Sequence, residues 1–401
     1  MNASSQPDEA KWQAEFQRRF DEERQRLGRF NVLVCGKTGT GKSTLINAIF
    51  GSDVAATGTG LPVTLGTEYF VHDRLPLGVF DSQGFETGES GDRILRRLGD
   101  EVAKRRSEPI SEQIHVVWYT VRAGDRRFEQ SQGEFVRGLA AMGLPVVVVM
   151  TQVPRREGVI HADSLQLADA IRAQQLPVRP RDHVVLTNAL ADEWITPEVH
   201  GLIELLDATA GVIPESVRAA LEAAQRIDYE RKRKRARLAI RSAATAAAAT
   251  CAVPIPVADA AALFPVQMGM LAAISAAYGV PTPSGRLASA FGSIIVATGA
   301  STVGRWLAGT IVKLVPGAGS VAGYAIKASV ASSVTLAMGY GWMSVNERLL
   351  RLSEAEAQAF LESDEVKQAF ITAFRQAWTD RKSLKKQLEL EPGEDGSSSA
   401  H

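Results

Sequence analysis

The sequence predicts an α/β domain built on a doubly wound, mostly parallel sheet, followed by an all-α, apolar helical domain. Three observations lead there. A glycine-rich loop stands between a strand-like run and a helix-like run near residue 36. Continuous β-branched runs recur at Ile114 to Val121 and Leu144 to Met150, as strands covered by helices on both faces require. From Ser242 to Asn346 the only charged side chains are Asp259, Arg286, Arg305, Lys313 and Lys327, in a chain that is 22% charged overall. Such depletion demands burial.

The first element is an amphipathic helix within residues 1–28, where Trp12, Phe16, Phe20 and Leu27 recur at helical spacing on a charged background. That pattern packs a stripe against another element. Phe30-Asn31-Val32-Leu33-Val34-Cys35 then reads as a strand, and it runs into Gly36-Lys37-Thr38-Gly39-Thr40-Gly41-Lys42-Ser43-Thr44, a complete G-x-x-x-x-G-K-[ST] loop. A loop that wraps a polyphosphate must turn its backbone N–H groups inward, and Gly36, Gly39 and Gly41 permit that close approach. Lys42 is expected at the β- and γ-phosphates and Ser43 on Mg²⁺. Thr44 to Phe50 has helical character, so the phosphates would face a helix N-terminus. The order of strand, loop and helix points to an α/β P-loop NTPase that binds a nucleoside triphosphate.

The next strand, Leu77 to Asp81, ends in Asp81-Ser82-Gln83-Gly84. An aspartate at a strand end can hold Mg²⁺ through water, and the backbone of a following glycine can sense a γ-phosphate. At this point the chain resembles the Era-like branch of the small GTPases, a likeness that covers residues 29–210 and extends to immunity-related GTPases. The resemblance implies GTP and GDP as ligands with Mg²⁺. It also implies a switch loop with one threonine on the metal, for which Thr64 in its Pro-Val-Thr context is the best match among Thr57, Thr59, Thr64 and Thr67.

Two positions depart from the family pattern. Its guanine-reading N/T-K-x-D motif is Thr151-Gln152-Val153-Pro154 here, so the lysine and the carboxylate that accepts from the ring N1 and N2 groups are both missing. Asn188-Ala189, after Val184 to Leu186, resembles the loop whose backbone N–H contacts guanine O6, and guanine stays the expected base with adenine as the alternative. The position after Gly84, where Ras-type enzymes carry a water-orienting glutamine, holds Phe85, followed by Glu86. An apolar ring cannot position water. Slow intrinsic hydrolysis follows, with Lys42, Thr64, Gly84 and Glu86 as the candidate catalytic set and Gln83 and the Arg126-Arg127 pair in reserve. The resemblance implies help from a partner or from homodimerisation.

Equal numbers of basic and acidic residues, 45 of each, give no pull toward nucleic acid. Two cysteines argue against a disulfide framework, and the six histidines have no metal-binding spacing. The polar N-terminus lacks a signal-peptide core, which leads us to expect a cytoplasmic nucleotide domain at the inner face of the cell membrane.

Residues 211–241 form a helical linker that ends in the basic run Arg231 to Arg237. In residues 242–346, Val257 to Val280 and Ala318 to Val345 are long enough to cross about 30 Å of hydrocarbon, flanked by basic residues suited to anionic headgroups. Pro265, Asp259 and Lys327 interrupt them, and a soluble bundle of small-residue helices stays open. Val253 to Ala260 and Leu314 to Gly319 resemble the domain of unknown function of YcjF-type inner-membrane proteins, which implies membrane association through 231–346. Residues 347–390 are again charged, with Phe360, Phe370, Phe374 and Trp378 forming a helical stripe, and the polar tail 391–401 lacks packing residues. Two function classes survive: a GTPase switch coupled to a membrane-associated helical domain, and a nucleotide-binding interaction protein that hydrolyses little. An ATP-dependent phosphotransferase is disfavoured because no acceptor site is visible.

Overall fold

The computed structural model describes residues 6–51, 54, 59–64, 67–82, 91–192, 198–252, 259–280, 282–300 and 321–390. Gln83, Gly84, Phe85 and Glu86, the segments 253–258 and 301–320, and the tail 391–401 lie outside the described residues. The chain divides into two units, one of residues 27–229 and one that joins residues 1–26 to 230–401.

In the first unit, strands β1 (Phe30–Gly36), β2 (Thr59–Thr64), β3 (Thr67–Val71), β4 (Leu77–Ser82), β5 (Val116–Arg122), β6 (Val146–Thr151) and β9 (Val184–Leu186) form one sheet among the described residues, in the order β2-β3-β4-β1-β5-β6-β9. The pairs β2–β3 and β3–β4 are antiparallel and the rest parallel. The parallel core is the expected doubly wound sheet. A short hairpin, β7 (Arg155–Arg156) with β8 (Val159–Ile160), projects after β6.

Alternate side chains of the central strands feed two cores. Leu33, Tyr119 and Val148 meet helices α3 (Gly91–Arg105), α4 (Gln130–Ala141) and α5 (Ala162–Ala173) through Leu98, Val136 and Leu167. Val34, Trp118 and Val149 meet α2 (Lys42–Phe50), α6 (Leu202–Val212) and α7 (Glu215–Ala224) through Ile46, Leu205 and Leu221. All of these side chains are buried.

A polar knot closes the lower edge of the sheet. The Asn31 backbone N–H donates to His115 Nδ1 at 2.8 Å, the His115 N–H donates to the Asn31 carbonyl at 3.0 Å, and His115 Nε2 lies 2.7 Å from the Ile110 carbonyl. This pattern requires the neutral tautomer with its proton on Nε2.

The second unit holds α1 (Gln6–Leu27), α8 (Tyr229–Ala252), α9 (Asp259–Tyr278), α10 (Ser284–Ala300), α11 (Val321–Leu350), α12 (Glu354–Glu362) and α13 (Asp364–Leu390). The stripe on α1 is core, as its spacing suggests: the Phe16 ring lies 5.5 Å from Phe291 and 5.8 Å from Trp342, and Trp12 lies 4.5 Å from Phe264, centroid to centroid. Trp342 Nε1 donates to Ser275 Oγ at 2.8 Å. At Gly339 an added Cβ would come within 2.5 Å of the Ile240 side chain, so Ile240 packs into space that the glycine leaves. Phe360, Phe370, Phe374 and Trp378 are all buried, but residues 347–390 are not one helix. A capping box between Ser353 and Glu356 starts α12, and a break at Ser363 separates α13.

Two expectations change here. Among the described residues no helix is long and apolar enough to cross a membrane. Pro265 and Gln267 lie within α9 and lower its apolarity, as Lys327, Ser332, Thr335 and Asn346 do in α11. The basic run also does not stand out as a free cluster. Lys232 is 1% exposed and donates to the Tyr278 carbonyl at 2.9 Å, Arg233 pairs with Glu347 at 2.7 Å, and Arg231, Arg235 and Arg237 have partners within the protein. The linker 211–241 is broken by Gln225, whose Oε1 accepts from the Ile227 and Asp228 N–H groups at 2.8 and 2.7 Å.

Burial pushes the His115 imidazole below its ordinary value of 6.5. The unfolded chain therefore takes the proton first as pH falls, so the stability His115 contributes is full above that value and is lost below it. Thermal unfolding is expected to move to lower temperature from roughly pH 7 to pH 5. His115→Gln, which takes up no proton, is expected to cost about 1–3 kcal/mol at neutral pH and to flatten that slope; equal slopes in the two proteins would exclude His115 as the source.

Candidate functional site

The site forms where β1, β4, β6 and β9 end at the same edge of the sheet, the carboxyl edge at which open α/β sheets bind ligands. Strand β1 finishes at Gly36, the loop turns through Gly39 and Gly41 in left-handed conformations, and α2 begins at Lys42. Gly36 is required by contact as well as by its φ of +150°: a Cβ there would sit 2.1 Å from Thr120 Oγ1 and 2.6 Å from the Thr120 carbonyl. The loop rests on buried hydroxyls. Thr40 Oγ1 lies 2.9 Å from the Lys37 carbonyl and 2.7 Å from Thr120 Oγ1, which lies 3.0 Å from the Cys35 carbonyl. Thr151 Oγ1, from the end of β6, donates to the Thr40 carbonyl at 2.5 Å.

Above this floor the exposed face carries Thr38, Gly39, Ser43 and Thr44. Lys42 Nζ donates toward the Gly36 and Lys37 carbonyls at 3.2 and 3.3 Å, which folds the ammonium back over the loop. Lys37 turns the other way and pairs with Glu129 at 2.9 Å. That hydrogen bond holds the Glu129 carboxyl below the usual range. Asp81 stands opposite Val34 in the parallel β1–β4 ladder, two residues before the loop begins. The Ser43 hydroxyl and the Asp81 carboxylate are the hard oxygen donors that a magnesium ion takes, so the donor set fits that metal.

Thr64 is not in an open loop: Thr59–Thr64 pairs antiparallel with β3 at the edge of the sheet, Thr64 opposite Thr67. Gly84 and Glu86, the other switch candidates, lie outside the described residues.

A cavity of about 420 Å³ opens beside the loop, lined by Gly41, Thr44, Gln152, Pro154, Asn188 and Ala189, with Arg122, Arg126, His161, Asp163 and Asp192 around them. Its volume lies in the range of small-molecule sites. Gln152, at φ +54°, donates from Nε2 to the Gly39 carbonyl at 3.2 Å. The altered motif thus still ties the β6 exit to the phosphate loop. Asn188 serves the loop rather than the cavity, because its Nδ2 donates to the Leu190 and Glu198 carbonyls at 2.7 and 2.9 Å. Arg126 lines this cavity, 3.6 Å from Asp163.

Sequence reasoning missed Thr120, Glu129, His161, Asp163 and Asp192. Thr120 alone left a signal, as a hydroxyl inside an otherwise apolar strand. The others reach the site from segments that carry no motif.

Comparison with known proteins identifies both halves. Residues 31–152 match the family model described as 50S ribosome-binding GTPase, and residues 216–364 match the model described as domain of unknown function DUF697. Cell division control protein 10 of Saccharomyces cerevisiae is 27% identical over 146 residues, 30% of this chain and 45% of that protein, so the chain spans less than half of that relative's length. Among solved structures, a probable GTP-binding protein engB is 16% identical, with 47% of this chain and 98% of that chain covered and a TM-score of 0.31. Aquifex aeolicus Era in complex with GDP.AlF4- is 17% identical, with 55% and 68% covered and a TM-score of 0.29. The chain carries a P-loop GTPase domain followed by a DUF697 domain.

Removing the hydroxyl that holds the loop to β6 isolates its contribution. Thr151→Val keeps the volume but leaves the buried Thr40 carbonyl without this donor, and is expected to lower stability to chemical denaturation by about 1–2 kcal/mol, with Thr151→Ser largely restoring it. Equal stability of the valine and wild-type proteins would remove Thr151 from the loop's support.

Proposed function

We propose that this GTPase domain is a slow, Mg²⁺-dependent nucleotide switch whose state is passed to the helical unit. The observation that carries the reading is the braced glycine-rich loop: its Lys37 and Thr40 carbonyls are held by buried threonine hydroxyls, Lys42 folds back over it, and a cavity of about 420 Å³ opens beside it. Preorganised donors stabilise the charge that develops on a transferring phosphoryl group without reorganising during the reaction. In this reading the amides of Gly39 to Ser43 cradle the β-phosphate, Lys42 bridges the β- and γ-phosphates, and Gly84 senses the γ-phosphate. Ser43 and Asp81, with Thr64 after a rearrangement of β2, would hold Mg²⁺, which when bound neutralises charge on the β- and γ-oxygens.

Phe85 supports slow turnover, since nothing at that position orients water, and Glu86 is the neighbouring polar candidate. Assistance from a partner or a second copy is the corresponding source of acceleration. The scarcity of charge in residues 242–346 supports coupling to a membrane surface at the cytoplasmic face through peripheral contact. The second reading, a nucleotide-binding interaction protein with little hydrolysis, draws on the same Phe85.

Intrinsic GTP turnover by the dilute chain is expected on the order of 10⁻² per second or slower, with Lys42→Ala losing GTP binding. Turnover of many per second at low concentration would remove the slow-switch reading, and binding with no turnover at any concentration would favour the second. Co-sedimentation with anionic liposomes is expected to differ between GDP and a GTP analogue in the wild type and not in Lys42→Ala. Recovery in the supernatant under both nucleotides would end the membrane coupling.

A further inference from the structure

A pocket that selects guanine needs an acceptor for the N1 and N2 hydrogens, and Pro154 occupies the position from which the motif would supply it. After Pro154 the chain makes a detour and returns. The β7–β8 hairpin carries it outward, and the His161 N–H then donates to the Pro154 carbonyl at 3.0 Å, closing the excursion on the residue where it began. Helix α5 starts at once, with His161 as its N-cap and Asp163 in its first turn. Asp163 lines the same cavity as Gln152, Pro154 and Ala189.

We infer that Asp163 is the specificity-determining carboxylate, returned to the base site by the hairpin in place of the missing aspartate. The inference rests on the nucleotide reading above and adds how that site tells guanine from other bases. Two features favour Asp163 over Asp192, the other carboxylate among the described lining residues. First, in the nucleotide reading the O6 contact would come from the β9 side, through the Asn188-Ala189 backbone at the cavity lining, which leaves the N1 and N2 edge to an acceptor from the β6 side. Asp163 is tied to that side by the His161–Pro154 bond, whereas Asp192 follows Ala189 on the β9 side. Second, Asp163 stands in the first turn of α5 and faces the cationic Arg126 at 3.6 Å across the cavity lining. A carboxylate that accepts from two ring hydrogens gives strong discrimination, because a ligand without matching donors leaves it unpaired.

The test uses the full chain with Mg²⁺ and competition of GTP, ITP, XTP and ATP against a fluorescent guanine nucleotide, or against its xanthine counterpart where guanine binding is lost. Wild type is expected to prefer GTP to XTP and ATP, and to bind ITP, which lacks the N2 hydrogens, more weakly. Asp163→Asn presents an amide donor to the xanthine O2, so it should lose about 10- to 100-fold in GTP affinity and gain XTP binding. Such a gain requires a folded pocket. Asp163→Ala should lose GTP without gaining XTP, and Asp192→Asn should not open the pocket to XTP. Unchanged ligand order in Asp163→Asn, or a switch to XTP in Asp192→Asn, overturns the inference. Wild type binding ATP as tightly as GTP overturns it while nucleotide binding stands, and wild type binding none of the four overturns both.

Discussion

The structure of the nucleotide site depends on how β1 ends. A buried parallel strand must leave the sheet at its carboxyl edge, and the chain turns back within five residues to start α2 at Lys42. That turn presents its N–H groups outward only if its carbonyls find partners underneath. Thr40, Thr120 and Thr151 supply that layer, and Gly36 passes so close to Thr120 that any side chain at residue 36 would clash with it. The threonines come from the loop itself and from the ends of two neighbouring strands. The phosphate cradle is therefore a property of three adjacent strand ends as much as of the loop that carries the motif.

The same reasoning separates residues that hold the site from residues that face a ligand. Gln152 and Asn188 stand where base-binding residues were expected, yet both spend donors on backbone carbonyls, Gln152 on Gly39 and Asn188 on Leu190 and Glu198. They fix the walls of the cavity. The Arg122, Arg126, Asp163 and Asp192 side chains supply its charge among the described lining residues.

What was legible in the sequence is what local pattern controls. The glycine spacing of 36–44, the apolar runs of β5 and β6 and the aromatic stripe on α1 each describe one segment, and each formed the element expected. What was hidden depends on pairs far apart along the chain. Phe16 gives no sign that its partners are Phe291 and Trp342, which assign α1 to the helical unit although the nucleotide unit follows it directly in sequence. The run Arg231 to Arg237 reads as a basic cluster suited to anionic headgroups, because nothing in it announces the Tyr278 carbonyl or Glu347. Asp163 is hidden for a related reason: a motif scan looks two residues beyond Gln152, and the hairpin moves the carboxylate past that window.

Long-range pairs also determine how the nucleotide unit connects onward. The chain enters this unit after α1 and leaves it before α8, so two covalent connectors join it to the helical unit, and one begins two residues before β1. The other is pinned within the nucleotide unit. The Arg226 N–H donates to the Ile49 carbonyl at 2.8 Å, at the far end of the helix whose first residue is Lys42. An added Cβ at Gly51 would lie 3.1 Å from the Arg226 guanidinium, so the two chain segments are in contact there. Helix α2 thus has its N-terminus at the phosphate loop and its C-terminus on the connector to α8. Lys42 and Arg226 are thus linked by a single helix and one backbone hydrogen bond, and their separation in sequence is no measure of their separation in the fold.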